Sequence, residues 1–598
     1  MVHYALPTSV RESRRKQEWC AKQTHDVTLQ RCFRVAAIAV AAVMVAAPSV
    51  SFGAQGVQRR PMALMVFFDG ARADCLANAE CPALQSLING TWSPEYKCAW
   101  SDSGQNLFDA PTLSYPNHTS IMCGVTAAKH HIMNNEQVRV SGGKHRWPTW
   151  LSHLVNARPG LKAHSFFSDR NDALITPDPA VPMTVAKDPD YRLHDDETAA
   201  AAVAAYSGGD APDAAMLFFH YPDPAGHYHG YYPMSDGYLA AFTHSDANLG
   251  RVLDAIRSRP TFDSEDWMIT FTSDHGGKYL GHGNDDGHCH TVTVLVVGRN
   301  VSHGRIAGCP RTYDLPVTML SHFGVQAEGS GMDGRRIGFK PGVRDAATPP
   351  DGSDLRLVSF DDPMPHAMEA AFNGDKVSMW GYADRLFTGL AEPSASGDRP
   401  VSAGYGRVMG REVPAAFRLG LDLPMDRGSF SLAFWMLDEG GAYDDDPIVL
   451  GNKDFFHRHN AGFTEKTRFP GFGIFLRTKS DDGSRGVTLH YTCDNGVTMR
   501  TLGAFSPERG RWNFYAMSVE PQGRVVFCQG RSDGRFNWIA ADSSGVVWDG
   551  GGPIMVGQDK TGQYHCGADL CFDELRAWPR PLSTTDLKGV FDRDRRRK

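Results

Sequence analysis

The sequence predicts an α/β domain, a mainly parallel central sheet flanked by helices, followed by an all-β sandwich. Three observations carry this expectation. From Met62 to about Gly342, short apolar runs alternate with helix-like segments, the pattern of strands joined by crossover helices. Farther on, short β runs alternate with polar turns, as in an antiparallel sandwich. Between the two lies a Pro/Gly-rich stretch ending in Pro349-Pro350-Asp351-Gly352, a boundary signal. The limits read from these shifts are 62–342 for the α/β domain, 343–355 for the linker and 356–590 for the sandwich.

In the first domain the runs Ala63–Phe68, Ala215–Tyr221, Trp267–Thr272 and Thr291–Val297 are bounded by Gly, Asp and Pro and are too short for helices. Buried parallel strands fit them best. Trp147–Asn156, Thr198–Tyr206 and Gly237–Ser258 are expected as helices. In the second domain the strand candidates are Phe430–Leu437, Pro447–Leu450, Gly473–Arg477, Val487–Tyr491, Trp512–Val519, Arg524–Cys528 and Pro553–Val556.

Composition narrows the class. The 598 residues are 41% hydrophobic and 22% charged, which suits a chain with real cores and excludes a disordered scaffold, a collagen-like rod or a multi-span membrane protein. A net charge of −7 offers no basic surface for nucleic acid.

Arg31 and Arg34 precede the apolar run Val35–Ala47 and a small-residue stretch to Ala54. That run is shorter than the roughly 20 residues needed to span a bilayer, and it reads as a secretory signal within a leader over residues 1–54. The mature chain is then expected to be periplasmic, secreted or at the cell surface, with no transmembrane span. The leader holds seven Lys/Arg and three Asp/Glu, so its removal takes the net charge from −7 to −11. Of twelve cysteines, Cys20 and Cys32 leave with it. An even number in an exported chain reads as disulfides; Cys75/Cys81, Cys289/Cys309 and Cys566/Cys571 are the close pairs. No Cys-x-x-Cys spacing suggests a cysteine zinc cluster.

Candidate chemistry lies where strand-like runs end. The first delivers Asp69 in Phe68-Asp69-Gly70. A later one leads to Asp223 and His227, and another to Asp274 and His275, with His282 seven residues on. Carboxylates and imidazoles together suit zinc, and six such groups can hold two ions. Neighbouring glycines allow close backbone approach. An isolated Asp-Gly is usually only a turn; the set in this order, at the sheet edge where α/β proteins bind ligands, is far more specific. The nucleophile candidate is Ser114, in Leu113-Ser114-Tyr115-Pro116-Asn117. Pro116 can open a helix and Gly124 end it, which puts Ser114 at a helix N-terminus favourable to phosphate.

With FFDGAR (67–72), PTLSYPNHTSIMCG (111–124), YPDPAGH (221–227), TSDHGG (272–277) and GHG (281–283), the first domain resembles the alkaline phosphatase superfamily. Within it, the likeness is to the type I phosphodiesterase/nucleotide pyrophosphatase and phosphonoacetate hydrolase branch. The segments YDLPVTMLSHFGV (313–325) and GMDGRR (331–336) resemble how such domains end. The resemblance implies two divalent ions, zinc, one held by Asp69, Ser114, Asp274 and His275 and the other by Asp223, His227 and His282. Ser114 would attack phosphorus while Asn117 donates to a non-bridging oxygen, and water activated at the second ion would hydrolyse the phosphoseryl intermediate.

Many relatives carry Thr where this chain has Ser114. The short gap between His275 and His282 resembles bacterial diesterases, and it leaves His288 and His290 as rivals to His282. A sulfatase would need an arginine that Ser114-Tyr115-Pro116-Asn117-His118 lacks. Arg72, Arg170 or Lys278 could supply a cation to the substrate, and Tyr228, His229, Tyr231 and Tyr232 could line the leaving-group side. The expected activity is phosphodiester hydrolysis, with a phosphomonoester or phosphonate as the alternative substrate. A catalytically inactive glycan-binding surface protein is the alternative of a different class.

In the second domain GSFSLAFWML (428–437), RWNFYAMSVE (511–520) and CFDELRAWPRPLSTTDL (571–587) resemble the laminin-G/concanavalin-like lectin sandwich. This implies an all-β jelly-roll and a glycan partner without naming its residues, and a purely structural role fits equally. The acidic run Asp444-Asp445-Asp446 could bind calcium but is more simply a solvated loop.

Overall fold

The computed structural model describes residues 59–339 and 355–596. Exceptions are short stretches in the first part (142–146, 176–177, 189 and 328–329) and longer ones in the second, chiefly 359–386, 391–403, 409–416, 454–469, 478–485 and 558–568. The leader, the linker, Asp444–Asp446 and Cys566 lie outside the described residues.

Strands β1 (Arg60–Phe68), β2 (Lys97–Gln105), β3 (Ala163–Phe167), β4 (Met183–Val185), β5 (Ala214–Phe219), β6 (Glu265–Ser273), β7 (Thr291–Gly298) and β8 (Gly304–Arg305) form one sheet in the order β4-β3-β5-β1-β6-β7-β2-β8. Pairing is parallel from β4 through β6 and again between β2 and β8. The sheet is therefore mainly parallel, but β7, expected as parallel, runs antiparallel to both neighbours. It is buried along its whole length, so its sequence looks like that of a parallel strand although the chain turns straight back after β6.

Alternate residues of β1 feed opposite cores, as strand geometry requires. Leu64, Val66 and Phe68 pack with Ala199, Phe242 and Val252, from helices Tyr191–Ser207 and Asp236–Arg257. Met65 and Phe67 pack with Ile121, Leu151 and Met319, from helices Ser114–Cys123, Trp150–Ala157 and Asp314–His322.

The C-terminal part contains two sheets whose pairings are all antiparallel. The larger centres on Asp569–Trp578, Phe430–Gly440, Trp512–Glu520, Arg524–Gly530 and Phe536–Asp542. The smaller includes Ile448–Gly451, Phe472–Arg477, Gly486–Cys493 and Thr498–Phe505. Phe434, Ile474, Leu489, Tyr515 and Phe527 share the core between them, and the result is the expected β-sandwich. The other face of the larger sheet packs Trp435, Trp512 and Trp538 against Phe591 of the Thr584–Arg595 helix and Ala73 of the α/β part.

Polar contacts join the same two parts. Arg524, fully buried, donates to Asp102 Oδ1 at 2.7 Å, Ser103 Oγ at 2.7 Å and Glu520 Oε1 at 2.6 Å. Trp538 Nε1 donates to the Asp102 carbonyl at 2.7 Å.

The expected disulfides Cys75–Cys81 and Cys289–Cys309 are absent: all four are free buried thiols, while Cys566 of the third pair lies outside the described residues. Cys75 Sγ instead donates to Tyr238 Oη at 3.5 Å, and Cys81 Sγ to the Leu76 carbonyl at 3.8 Å. No described helix is long and apolar enough to cross a membrane.

Candidate active site

The carboxyl ends of β1, β5 and β6 open onto one place. Asp69 follows β1, Asp274 and His275 follow β6, and Asp223 and His227 lie on the Pro222–His229 helix just beyond β5. Ser114 begins the Ser114–Cys123 helix, whose N-cap is Leu113. The helix thus starts two residues before the proline, which is tolerated because first-turn N–H groups need no helical partner. Gly124 closes it in the left-handed conformation, as expected. Gly70 has φ +65°, and a Cβ there would lie 2.9 Å from the Asp223 Cα, so the close approach of these two loops requires glycine.

Two overlapping donor groups result. Ser114 Oγ lies 3.4 Å from Asp69 Oδ1 and 3.3 Å from His275 Nε2, and His275 Nε2 lies 3.1 Å from Asp274 Oδ2. Asp223 Oδ1 lies 3.5 Å from His282 Nε2 and 3.8 Å from His227 Nε2. The ring of His282 stacks on that of His275 with centroids 3.8 Å apart, so the groups adjoin. All seven metal-ligand candidates from the sequence therefore meet.

The histidines share one arrangement. His275 Nδ1 donates to the Gly276 carbonyl, His227 Nδ1 to Leu280 and His282 Nδ1 to Thr112, at 2.8, 2.8 and 2.7 Å. Each bond leaves the Nε2 lone pair facing the carboxylates, the outer-shell support typical of a metal-binding imidazole.

Electrostatics also calls for a cation. Burial, then the charges of Asp274 and Asp223, raise the Asp69 pKa well above the carboxylate range. Burial lowers the His275 pKa to about 4, with His282 adding to the effect against the pull of Asp274, which keeps the ring neutral and able to ligate. Asp274 Oδ2 is buried, with the Nε2 atoms of His275 and His118 each 3.1 Å away. Converging carboxylates and imidazoles that turn Nε2 inward fit divalent metal.

Several residues at the site carried no signal in the sequence reading. His220 Nδ1 is 3.0 Å from Asp69 Oδ2, and the two group with Asp223 as a third set of possible ligands. Asp195 fixes that turn by accepting from the His220 N–H at 2.8 Å. His118 donates through Nδ1 to Asp172 at 2.7 Å and directs Nε2 to within 3.1 Å of Asp274 Oδ2. Its position in Pro116-Asn117-His118, four residues after Ser114, was the available clue.

Asn117 is turned away from the site. It is fully buried, its Oδ1 accepts from the Leu107 N–H at 3.1 Å, and its Nδ2 donates to the Leu113 carbonyl at 2.8 Å. Its amide holds the loop before the helix. Asn135 lines the cleft instead, and its Oδ1 accepts from the Tyr115 N–H at 3.1 Å.

The rivals to His282 are committed elsewhere. His288 accepts from Arg72 Nη1 at 2.8 Å and donates to the Ala504 carbonyl at 2.9 Å. His290 bonds Asn106 and Asp285 at 2.6 and 3.0 Å. Arg72 is buried against Asp74 at 2.6 Å, and Lys278 pairs with Asp286 at 3.0 Å. Of the three suggested cations only Arg170 lines the cleft, accompanied by Lys187. Tyr228 also lines it, whereas Tyr231 and Tyr232 are buried: Tyr231 Oη donates to the Asp223 carbonyl at 2.9 Å, and Tyr232 Oη donates to Gln529 Oε1 at 2.8 Å. The cleft encloses about 1350 Å³.

Residues 63–285 match the model of the family described as type I phosphodiesterase/nucleotide pyrophosphatase. Among curated proteins, the chain is similar to the bis(5'-adenosyl)-triphosphatase ENPP4 of Bos taurus, with 27% identity over 232 residues that cover 36% of this chain and 47% of that protein. The chain thus spans about half the length of this curated relative. Among solved structures, murine ectonucleotide pyrophosphatase/phosphodiesterase 5 is similar at 14% identity and TM-score 0.34, covering 45% of this chain and 96% of that one. A phosphonate monoester hydrolase from Silicibacter pomeroyi is similar at 15% identity and TM-score 0.34, covering 51% and 81%. Likenesses at these TM-scores carry no information about activity.

Proposed function

We propose that this protein is an exported hydrolase of phosphoric esters, a phosphodiesterase, that works with two divalent ions through a phosphorylated Ser114. The observation that carries the reading is the pair of adjoining donor groups whose three histidines all present Nε2. The family match over residues 63–285 supports the same reaction class. Asp69, Ser114, Asp274 and His275 would hold one ion, and Asp223, His227 and His282 the other; the donor set suits zinc. When bound, such ions lower the pKa of a hydroxyl and neutralise charge on a phosphoryl group.

The chain's own residues supply the remainder. Ser114 stands at the N-terminus of the Ser114–Cys123 helix, where the helix dipole favours the phosphoryl oxygens. Asn135 spends its carbonyl on the Tyr115 N–H, and its Nδ2 is the group to donate to a non-bridging oxygen. Asp69 and His275 lie within 3.4 Å of the serine oxygen and hold it toward the cleft. In the first step the Ser114 oxygen bonds to phosphorus as the leaving alcohol departs; in the second, water cleaves the seryl phosphate and restores the hydroxyl.

A diester is favoured over a monoester because the cleft, at about 1350 Å³, has room for both ester groups, with Arg170, Lys187 and Tyr228 on its walls. The export part of the proposal rests on the Val35–Ala47 run.

The test compares bis-p-nitrophenyl phosphate with p-nitrophenyl phosphate, with zinc, with chelator and with Ser114→Ala. Faster diester cleavage, lost with chelator and with the variant, is expected. A monoester preference would move the protein to the phosphatases, and metal-independent turnover would overturn the reading.

A further inference from the structure

Arg72, three residues after Asp69, is buried, and a buried guanidinium must spend its donors on the protein. Nε and Nη2 donate to the two carboxylate oxygens of Asp74 at 2.9 and 2.6 Å, a bidentate pair that fixes the plane of the fork. Nη1 is thereby aimed at the loop between Asp274 and His290. It donates there to the Gly277 carbonyl at 2.7 Å and to His288 Nδ1 at 2.8 Å. Gly277 stands two residues after His275 and five before His282, between the two loop histidines that would face different ions. The loop runs close against the arginine: a Cβ at Gly276 would lie 3.1 Å from Arg72 Cγ and 2.2 Å from the His288 carbonyl oxygen, an approach open only to glycine.

The far side of the fork rests on the sandwich. Asp74 Oδ2 also accepts from the Trp538 N–H at 3.1 Å. Asn78 joins the Asp74 turn to Phe536: its Nδ2 donates to the Asp74 and Phe536 carbonyls, each at 2.7 Å, and its Oδ1 accepts from the Phe536 N–H at 2.9 Å. Phe536 and Trp538 belong to the Phe536–Asp542 strand of the larger sheet. His288 Nε2 donates to the Ala504 carbonyl at 2.9 Å, in the Thr498–Phe505 strand of the smaller sheet. Tyr232 covers the meeting point, with its ring stacked on His288 at 4.4 Å between centroids and 5.3 Å from the Arg72 guanidinium. Both sandwich sheets therefore back the one arginine that grips the ligand loop.

We propose that Arg72 is a positioning residue for the phosphoester centre and that the sandwich braces it, so that its bond to the Gly277 carbonyl sets the spacing of His275 and His282. The inference rests on the two-ion reading of that centre. It gives the sandwich a part in the reaction that requires no ligand of its own.

Zinc affinity of the full chain, read by competition with a chelator of known strength, tests this on the parent, Arg72→Lys, Asn78→Ala and Arg524→Met. Lysine keeps a charge for Asp74 but has no fork to reach Gly277 as well. Arg72→Lys is expected to weaken zinc binding about 10–100-fold, as loss of an outer-shell partner does, and to lower kcat for bis-p-nitrophenyl phosphate with KM unchanged. Asn78→Ala, which loosens the brace alone, should move both in the same direction by less. Arg524→Met breaks the junction at Asp102 instead; it should lower the urea midpoint yet change zinc affinity by less than about twofold, as a separate site does. Circular dichroism melts establish that each variant is folded at the assay temperature. If Arg72→Lys is not, Arg72→Met combined with Asp74→Leu, which removes both buried charges together, takes its place. Parent-like zinc affinity in the arginine variant overturns the positioning role, as does an equal loss in Arg524→Met, which would mark stability alone. Parent-like affinity in Asn78→Ala overturns the part given to the sandwich. A parent that binds no zinc overturns the two-ion reading itself, and this inference with it.

Discussion

Arg524→Met removes a charge from the centre of the junction while keeping most of the side-chain volume. The parent guanidinium makes three hydrogen bonds of 2.6–2.7 Å, two of them to carboxylates, from a fully buried position. Breaking a buried ion pair by removing one partner costs roughly 3–5 kcal/mol, because the other charge stays buried. Here Arg305 also pairs with Glu520, so only Asp102 loses its principal cation, and the lower end, about 3 kcal/mol, is expected. Urea unfolding followed by tryptophan fluorescence is a suitable assay, since Trp435, Trp512 and Trp538 lie in the core beside the junction. Adding Asp102→Leu should return most of the loss, since an apolar replacement of both partners is often nearly neutral. A loss below about 1 kcal/mol for the single variant, or a double variant worse than both singles, would refute the reasoning. The pH dependence gives a second check. Burial opposes ionisation of Asp102, but Arg524 and then Arg305 outweigh it and hold the pKa below the usual carboxylate value. The stabilisation is then present above the unfolded pKa of about 3.9 and is lost as pH falls below it; Arg524→Met should lack most of that acid-sensitive part.

Asn135→Ala should lower diester kcat by about 100-fold, as loss of an oxyanion donor does, whereas Asn117→Ala should lower stability by about 1–3 kcal/mol through its unpaired loop groups; steady-state kinetics and urea titration separate the two. His282→Ala should lower bound zinc, read by elemental analysis, from two ions toward one, while His288→Ala should leave both in place. Asp246 accepts from the Ala83 and Leu84 N–H groups at 2.9 Å, and burial raises its pKa to about 6. A carboxyl raised from about 3.9 to about 6 destabilises the fold as pH rises through that window, by at most about 3 kcal/mol; Asp246→Asn should remove that slope in urea titrations between pH 4 and 7. Thiol titration of the denatured, unreduced protein should count at least seven reactive groups, from Cys75, Cys81, Cys98, Cys123, Cys289, Cys309 and Cys528.

The residues that meet at the site were legible because strand ends in an α/β sheet converge, so an acid after each of several apolar runs implies a common location. The glycines beside Asp69 and His275 were equally informative. What was hidden depends on rotation and on partners far along the chain. Asn117 and Asn135 are both plausible donors in one dimension, and only the local turn decides which one faces the cleft. His220 sits before a proline in an unremarkable His-Tyr-Pro, and its nearness to Asp69 comes from the β1–β5 pairing. The disulfide expectation failed because cysteine spacing carries no direction: Cys75 and Cys81 are six apart, yet each thiol is absorbed by a different neighbour. Strand β2, Lys-Cys-Ala-Trp-Ser-Asp-Ser-Gly-Gln, was missed for a related reason. Its Asp102 and Ser103 are buried only because Arg524, more than 400 positions later, comes to meet them.

The bond from His288 to the Ala504 carbonyl has an implication for how such a protein is made and cut. Every ligand candidate is synthesised before residue 504, yet the segment from Asp274 to His290 that carries three of them is tied down at its far end by a residue emerging some two hundred positions later. A ribosome releasing the first 342 residues would deliver a site with all its donors and one loose hem. Shortened versions of the chain should therefore be judged by metal retention as well as solubility.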